Sequence, residues 1–253
     1  MSIYHRSALI AASVAAAFAL SACQPTPENT EATPTEEVMP PAEVTKSDSV
    51  PDMADDEQMT DMLKDYTKSM TKMHDEMMVG MGYNDPDTAF AKSMLGHHRG
   101  AVDMAKIELK YGTDVAMLQL AQEVINAQQL EIDIMNKWLA SHPDAANPKP
   151  ETPAMQQAYA DSMDAMHSKM MAGIADPIPD MAFARGMLPH HVGAVDMAMV
   201  QLKYGKDKEM RQLAQDIIDA QQPEIEVLQD WTATYGTNDE LLEDEAEEMA
   251  EAS

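Results

Sequence analysis

The chain has 253 residues and a formal net charge of −27, from 44 acidic and 17 basic side chains. That balance leaves no basic footprint for a nucleic acid, and a single cysteine, Cys23, excludes an intramolecular disulfide. With 25 methionines, 10 glycines and only 5% aromatic residues, the composition favours helix over strand, so an all-α fold with a sizeable core is expected.

The first element in chain order is a targeting segment. His5 and Arg6 precede an apolar run from Ala8 to Leu20, too short to cross a bilayer comfortably and of signal-peptide character. The run ends in Leu20-Ser21-Ala22-Cys23. This string resembles a bacterial lipobox, whose cysteine is lipid-modified and becomes the new N-terminus. The plainer alternative is an ordinary cleavage site ahead of a cysteine. Gln24 follows where an aspartate would direct inner-membrane retention, so the outer membrane is the expected destination. Lipidation of Cys23 would anchor a soluble, periplasm-facing domain to the membrane surface. Residues 24–55 are rich in Pro, Thr, Glu and Ala and form a flexible tether.

From there the chain is written twice, at a constant offset of 93 residues. Tyr66 matches Tyr159, His74 matches His167, His97 matches His190, Gln128 matches Gln221 and Trp138 matches Trp231, without a gap. The first unit covers 56–142 and the second 154–236. A proline-rich linker, 143–153, joins them, and an acidic tail, 237–253, follows.

Each unit predicts three helices. In the first unit they run from Asp56 to Val79, from Asp87 to Tyr111 and from Asp114 to Leu139, with Gly112 as a stop signal and Asp114 as an N-cap. The short Gly112-Thr113 turn makes the second and third helices an antiparallel hairpin. One hairpin cannot cover its own apolar face, so two are expected to form a four-helix bundle. The Met-rich first helix of each copy is then a lid or flank.

The first helix carries one stripe of Met59, Met62, Tyr66, Met70, Met73 and Met77, with His74 at its edge. Its counterpart carries Met155, Tyr159, Met163, Met166 and Met170, with His167. Methionine is a serviceable core filler, yet helices two and three use Leu, Ile and Val freely where these stripes do not. On the second helix, in MLGHHRGAVDMA (94–105), Met94, His97, His98 and Met104 share a face. Asp103 points away, as an exposed partner for Arg99. In MLPHHVGAVDMA (187–198), Met187, His190, His191 and Met197 repeat the pattern. On the third helix Gln128, and Gln221 in the second copy, sit mid-stripe. A buried amide needs partners, so these glutamines are candidates for orienting a histidine, or are polar groups at a wet bundle end. Pro189 replaces Gly96 and should start or kink its helix, and Pro223 replaces Leu130 and should interrupt the third.

Thioether and imidazole together suit Cu(I) and, by the same softness, Ag(I). Spacings of three and four residues bring Met94 to His97 and His98 on one helix side. A satisfied structural histidine pair is the plainer reading for either doublet alone. An enzyme of the di-iron carboxylate kind needs Glu-x-x-His on facing helices. No such motif occurs, and Asp164-Ala-Met-His167 comes nearest. Binding without turnover is therefore expected, in sequestration or delivery of copper. A helical scaffold or adaptor lipoprotein is the third possibility, and a copper-efflux or chaperone partner is left open.

The stretches MLGHHRGAVDMAKIELKYG and LAQEVINAQQLEIDIMNKWL, with their second-copy equivalents, resemble the domain of unknown function 305 family over about Tyr66 to Trp231. The resemblance implies a ferritin-like helical bundle. Some members are Met- and His-rich periplasmic copper-binding proteins of the CopM type, implicated in copper resistance. It further implies roles for His97, His98, His190 and His191, with Met94, Met104, Met187 and Met197.

Overall fold

The computed structural model describes the chain from Thr60 to Glu251, with side chains to Gly236. The signal segment, Cys23, the tether, Met59 and the side chains of the acidic tail lie outside the described residues.

Six helices follow one another and no strand occurs among the described residues: α1 (Asp61–Met81), α2 (Pro86–Tyr111), α3 (Val115–Leu139), α4 (Thr152–Ile174), α5 (Pro179–Tyr204) and α6 (Lys208–Glu251). Their starts follow from local chemistry. The Asp85 carboxylate accepts from the backbone N–H of Asp87 and Thr88, with Pro86 at the first helical position of α2. Asp114 caps α3 in the same way, through Ala116 and Met117. Gly112 does end α2, in an extended conformation (φ −70°, ψ 160°) and not a left-handed one. Glycine is favoured there for space, because an added Cβ would come within 2.8 Å of the Glu108 backbone carbonyl oxygen.

The central contact is α2 against α5. On α2 pack α1 and α3, on α5 pack α4 and α6, and α1 touches α4. The two hairpins therefore meet mainly through α2 and α5, and α1 and α4 are core elements. Met62, Tyr66, Met70, Met73 and Met77 of α1 are all buried, as are Met155, Tyr159, Met163, Met166 and Met170 of α4. The two copies also cap each other. Asp180 of α5 accepts from the N–H groups of Thr113 and Asp114, at 2.9 and 2.8 Å, where α3 begins. Its repeat equivalent, Asp87 of α2, accepts from Lys206 and Asp207, at 3.0 and 3.1 Å, where α6 begins.

Two expectations for the second copy are corrected in part: Pro189 does not start its helix, and Pro223 does not end the third. Helix α5 begins at Pro179 and runs through Pro189, and α6 runs through Pro223. An interior proline removes one backbone hydrogen bond at a cost of about 3 kcal/mol, and here the packing of long amphipathic helices outweighs that local loss. No helix of the described residues is long and apolar enough to cross a membrane.

Candidate metal centre

The α2/α5 contact brings the two His-His pairs together. His97, His98, His190 and His191 are each 0% exposed, as are their neighbours Met94, Met104 and Met187. The rings of His97 and His190 lie 3.7 Å apart between centroids. His190 Nε2 donates to the carbonyl of His97 at 3.1 Å. His98 Nε2 meets Glu131 of α3 at 2.6 Å, and His191 Nε2 meets Glu224 of α6 at 2.8 Å. Hydrogen bonds assign the proton of His98 and His190 to Nε2, while His191 Nε2 lies beside Glu224 without a hydrogen bond. The Nδ1 lone pairs of His98 and His190 are then free to accept or to ligate. None of the four Nδ1 atoms has a hydrogen-bond partner, although all are buried. Burial, and then the charge that neighbouring imidazoles would carry, holds His97 well below the usual histidine pKa, and burial does the same for His190. Both rings are neutral, the form that binds a metal.

Glu131 and Glu224 are the residues that sequence reasoning overlooked. They lie three positions after Gln128 and Gln221 in the repeated Ala-Gln-Gln-x-Glu-Ile stretch, on the flank of the helix that reaches the neighbouring histidine. Orienting a histidine through its far nitrogen is the task expected of Gln128 and Gln221. A carboxylate does it instead, as is usual around metal-ligating imidazoles. The two glutamines are buried in the same stripes, and their amide N and O atoms have no hydrogen-bond partner. The expected pairing of Asp103 with Arg99 is likewise replaced. Asp103 binds Lys72 and Arg99 binds Glu76, each at 3.0 Å, so both reach across to α1.

The methionines divide between two places. Met73 Sδ occupies the position that a side chain on Gly100 would take, one turn beyond His97, and Met166 Sδ sits likewise against Gly193, one turn beyond His190. The small residues of the repeated phrase thus let a thioether lie directly on the histidine helix. Met104 crosses between copies, its Cε 3.0 Å from where a Cβ on Gly186 would lie. At the α1/α4 crossing the half-buried His74 and His167 approach to 5.5 Å between ring centroids. Met70, Met77, Met163 and Met170 are buried on the same two helices, and Met197 is buried on α5. Among the described residues, no three His, Cys, Asp or Glu side chains are grouped to hold an ion by themselves. A metal held by these histidines would draw on thioether sulfur to complete its coordination.

Comparison with known proteins gives a consistent family result. The model of the family described as Domain of unknown function (DUF305) matches residues 87–232 and again 180–253. No curated protein matches the chain. Among solved structures, CopM in the Cu(I)-bound form is 27% identical, covering 59% of this chain and 96% of its own, with a TM-score of 0.45. CopM in the Ag-bound form obtained by co-crystallization is 28% identical over 59% of this chain and 96% of its own, also with a TM-score of 0.45. A DUF305 protein from Streptomyces coelicolor is 25% identical, covering 60% of this chain and 94% of its own, with a TM-score of 0.48.

Proposed function

This chain belongs to the DUF305 family, whose model spans more than half of it, and we propose that it binds Cu(I), and Ag(I) by the same chemistry, through histidine and methionine drawn from both copies. The observation that carries this reading is the set of four buried histidines with unpartnered Nδ1 atoms. Buried polar atoms are ordinarily satisfied, and leaving one unpaired costs about 1–3 kcal/mol. His97 and His190 are held neutral by burial, and His98 and His190 turn a ring proton to Nε2, so the cluster is arranged for an acceptor of electron pairs. Thioethers lie one turn away and no thiol competes. That donor set selects a soft monovalent ion.

The role is retention and hand-over of the ion, with no chemical turnover. The lipid anchor at Cys23 and the tether would hold this domain to the periplasmic face of a membrane, where a cysteine-free site resists oxidation. The di-iron alternative finds some support in the Glu131–His98 and Glu224–His191 pairs. Such a site, however, needs several carboxylates around each metal, and those are not grouped among the described residues.

Titration of the full chain with Cu(I) against a competing chelator tests the proposal. Retention should fall when His97, His98, His190 and His191 are replaced by alanine, and fall separately when Met73 and Met166 become leucine. Absence of Cu(I) retention by the unaltered chain rejects the proposal. Two bound irons with oxidase activity would establish the di-iron enzyme in its place.

A further inference from the structure

The two copies differ where the repeat should make them alike. In the first, the groove between α1 and α2 is bridged by Lys72–Asp103 and Arg99–Glu76, each at 3.0 Å. It leaves no room for a water-sized body. In the second, Ala165, Lys169 and Val192 stand in place of Lys72, Glu76 and Arg99, while Asp196 repeats Asp103. Both bridges are gone, and the groove between α4 and α5 opens into a cavity of about 540 Å³.

Pro189 gives the opening its steric cause. A Cβ placed on Gly96, its counterpart, would come within 2.8 Å of Glu76 Cβ and 3.1 Å of the Glu76 backbone. The helix spacing of the first copy therefore cannot hold a proline ring. Arg185 on the cavity rim is occupied by Asp176. Among the described residues neither Lys169 nor Asp196 has an ion-pair partner. Met166 lines the cavity, and its thioether rests on Gly193, one turn from His190.

We propose that this groove is the entry for the ion: Asp196 takes the cation at the mouth, Met166 receives it on sulfur, and the buried histidines lie behind, while the first copy admits none. The inference rests on the metal-binding reading above. Lys169, on the same cavity wall, carries the same sign of charge as the arriving cation and opposes its approach to Asp196. A strongly acidic chain supplies the general attraction, and a single carboxylate in a cleft focuses it.

Stopped-flow uptake of Ag(I), supplied as silver nitrate to the full chain, tests the assignment. Rebuilding the bridges of the first copy with Ala165→Lys, Lys169→Glu and Val192→Arg should slow uptake by about tenfold while leaving the silver bound at equilibrium unchanged. Asp196→Asn, which keeps the groove open and the volume constant, should slow uptake severalfold, and Lys169→Ala should quicken it. Wild-type rates in both the bridged variant and Asp196→Asn overturn the entry route and leave metal binding intact. An unaltered chain that retains no silver overturns both.

Discussion

Gln201 donates from its side-chain amide to the carboxylate of Asp87 at 2.6 Å, joining α5 to α2 behind the cap that Asp87 places on α6. The repeat puts Glu108 where Gln201 stands and Asp180 where Asp87 stands. An amide can donate to a carboxylate, whereas a second carboxylate cannot unless it keeps a proton. Burial first, and then the hydrogen bond and charge of Asp180, push the Glu108 carboxyl up to about 9. Asp114, at the start of α3, acts in the same direction.

The sign of the resulting pH dependence is fixed. The folded chain keeps on Glu108 a proton that the unfolded chain releases above its ordinary 4.5. The stabilisation is full below pH 4.5 and is lost progressively up to about 9. Glu108→Gln copies the satisfied arrangement of the other half. It should flatten this part of the curve and raise stability at pH 8 by about 2 kcal/mol. Urea denaturation at pH 5 and pH 8 checks it, and an equal effect at both values would refute the shared proton.

Glu131→Gln and Glu224→Gln should weaken the metal site from outside it. An amide can still occupy the space beside His98 or His191, but it does not hold the Nε2 proton as a carboxylate does. Loss of such an orienting carboxylate typically lowers metal affinity by about 10- to 100-fold. The single variants should each show part of that loss in a Cu(I) competition titration, with folding intact by circular dichroism.

Met73→Leu and Met166→Leu separate core packing from ligation. Leucine has nearly the same volume, so the stability cost should stay under about 1.5 kcal/mol. Affinity for Ag(I) should fall clearly in each, since only sulfur is removed. Unchanged affinity in the double variant would return these side chains to the core alone.

Gly173→Ala should be far worse than Gly193→Ala. A Cβ on Gly173 would collide with the backbone of Arg185 and with Gly186 N, at 2.7 Å from the latter. On Gly193 it would meet the flexible end of Met166. Expected losses are about 3 kcal/mol and about 1 kcal/mol respectively, read as Tm shifts in thermal melts of metal-free protein.

Much of this fold is legible in the sequence because two signals coincide. The 93-residue offset ties each helix of one unit to its partner, and a 3.6-residue periodicity sorts Met94, His97, His98 and Met104 onto one buried face. What periodicity cannot give is the neighbour across that face. Gln128 lies mid-stripe, so it is the natural choice to orient a histidine. Glu131 lies at the stripe's flank, and only the lateral placement of α3 on α2 brings it to His98. The same limit hides Asp87 and Asp180, which look like ordinary first-turn acids and instead cap helices of the opposite copy. Pro189 and Pro223 carry strong local signals against helix, and the long packed helices override both.

Copper K-edge X-ray absorption of the Cu(I)-loaded full chain tests the central claim most directly. A first shell that combines imidazole nitrogen with thioether sulfur, and loses its nitrogen scattering when His97, His98, His190 and His191 are replaced by alanine, is the predicted result. A shell of oxygen and nitrogen alone, or one unaltered by removal of all four histidines, would contradict it.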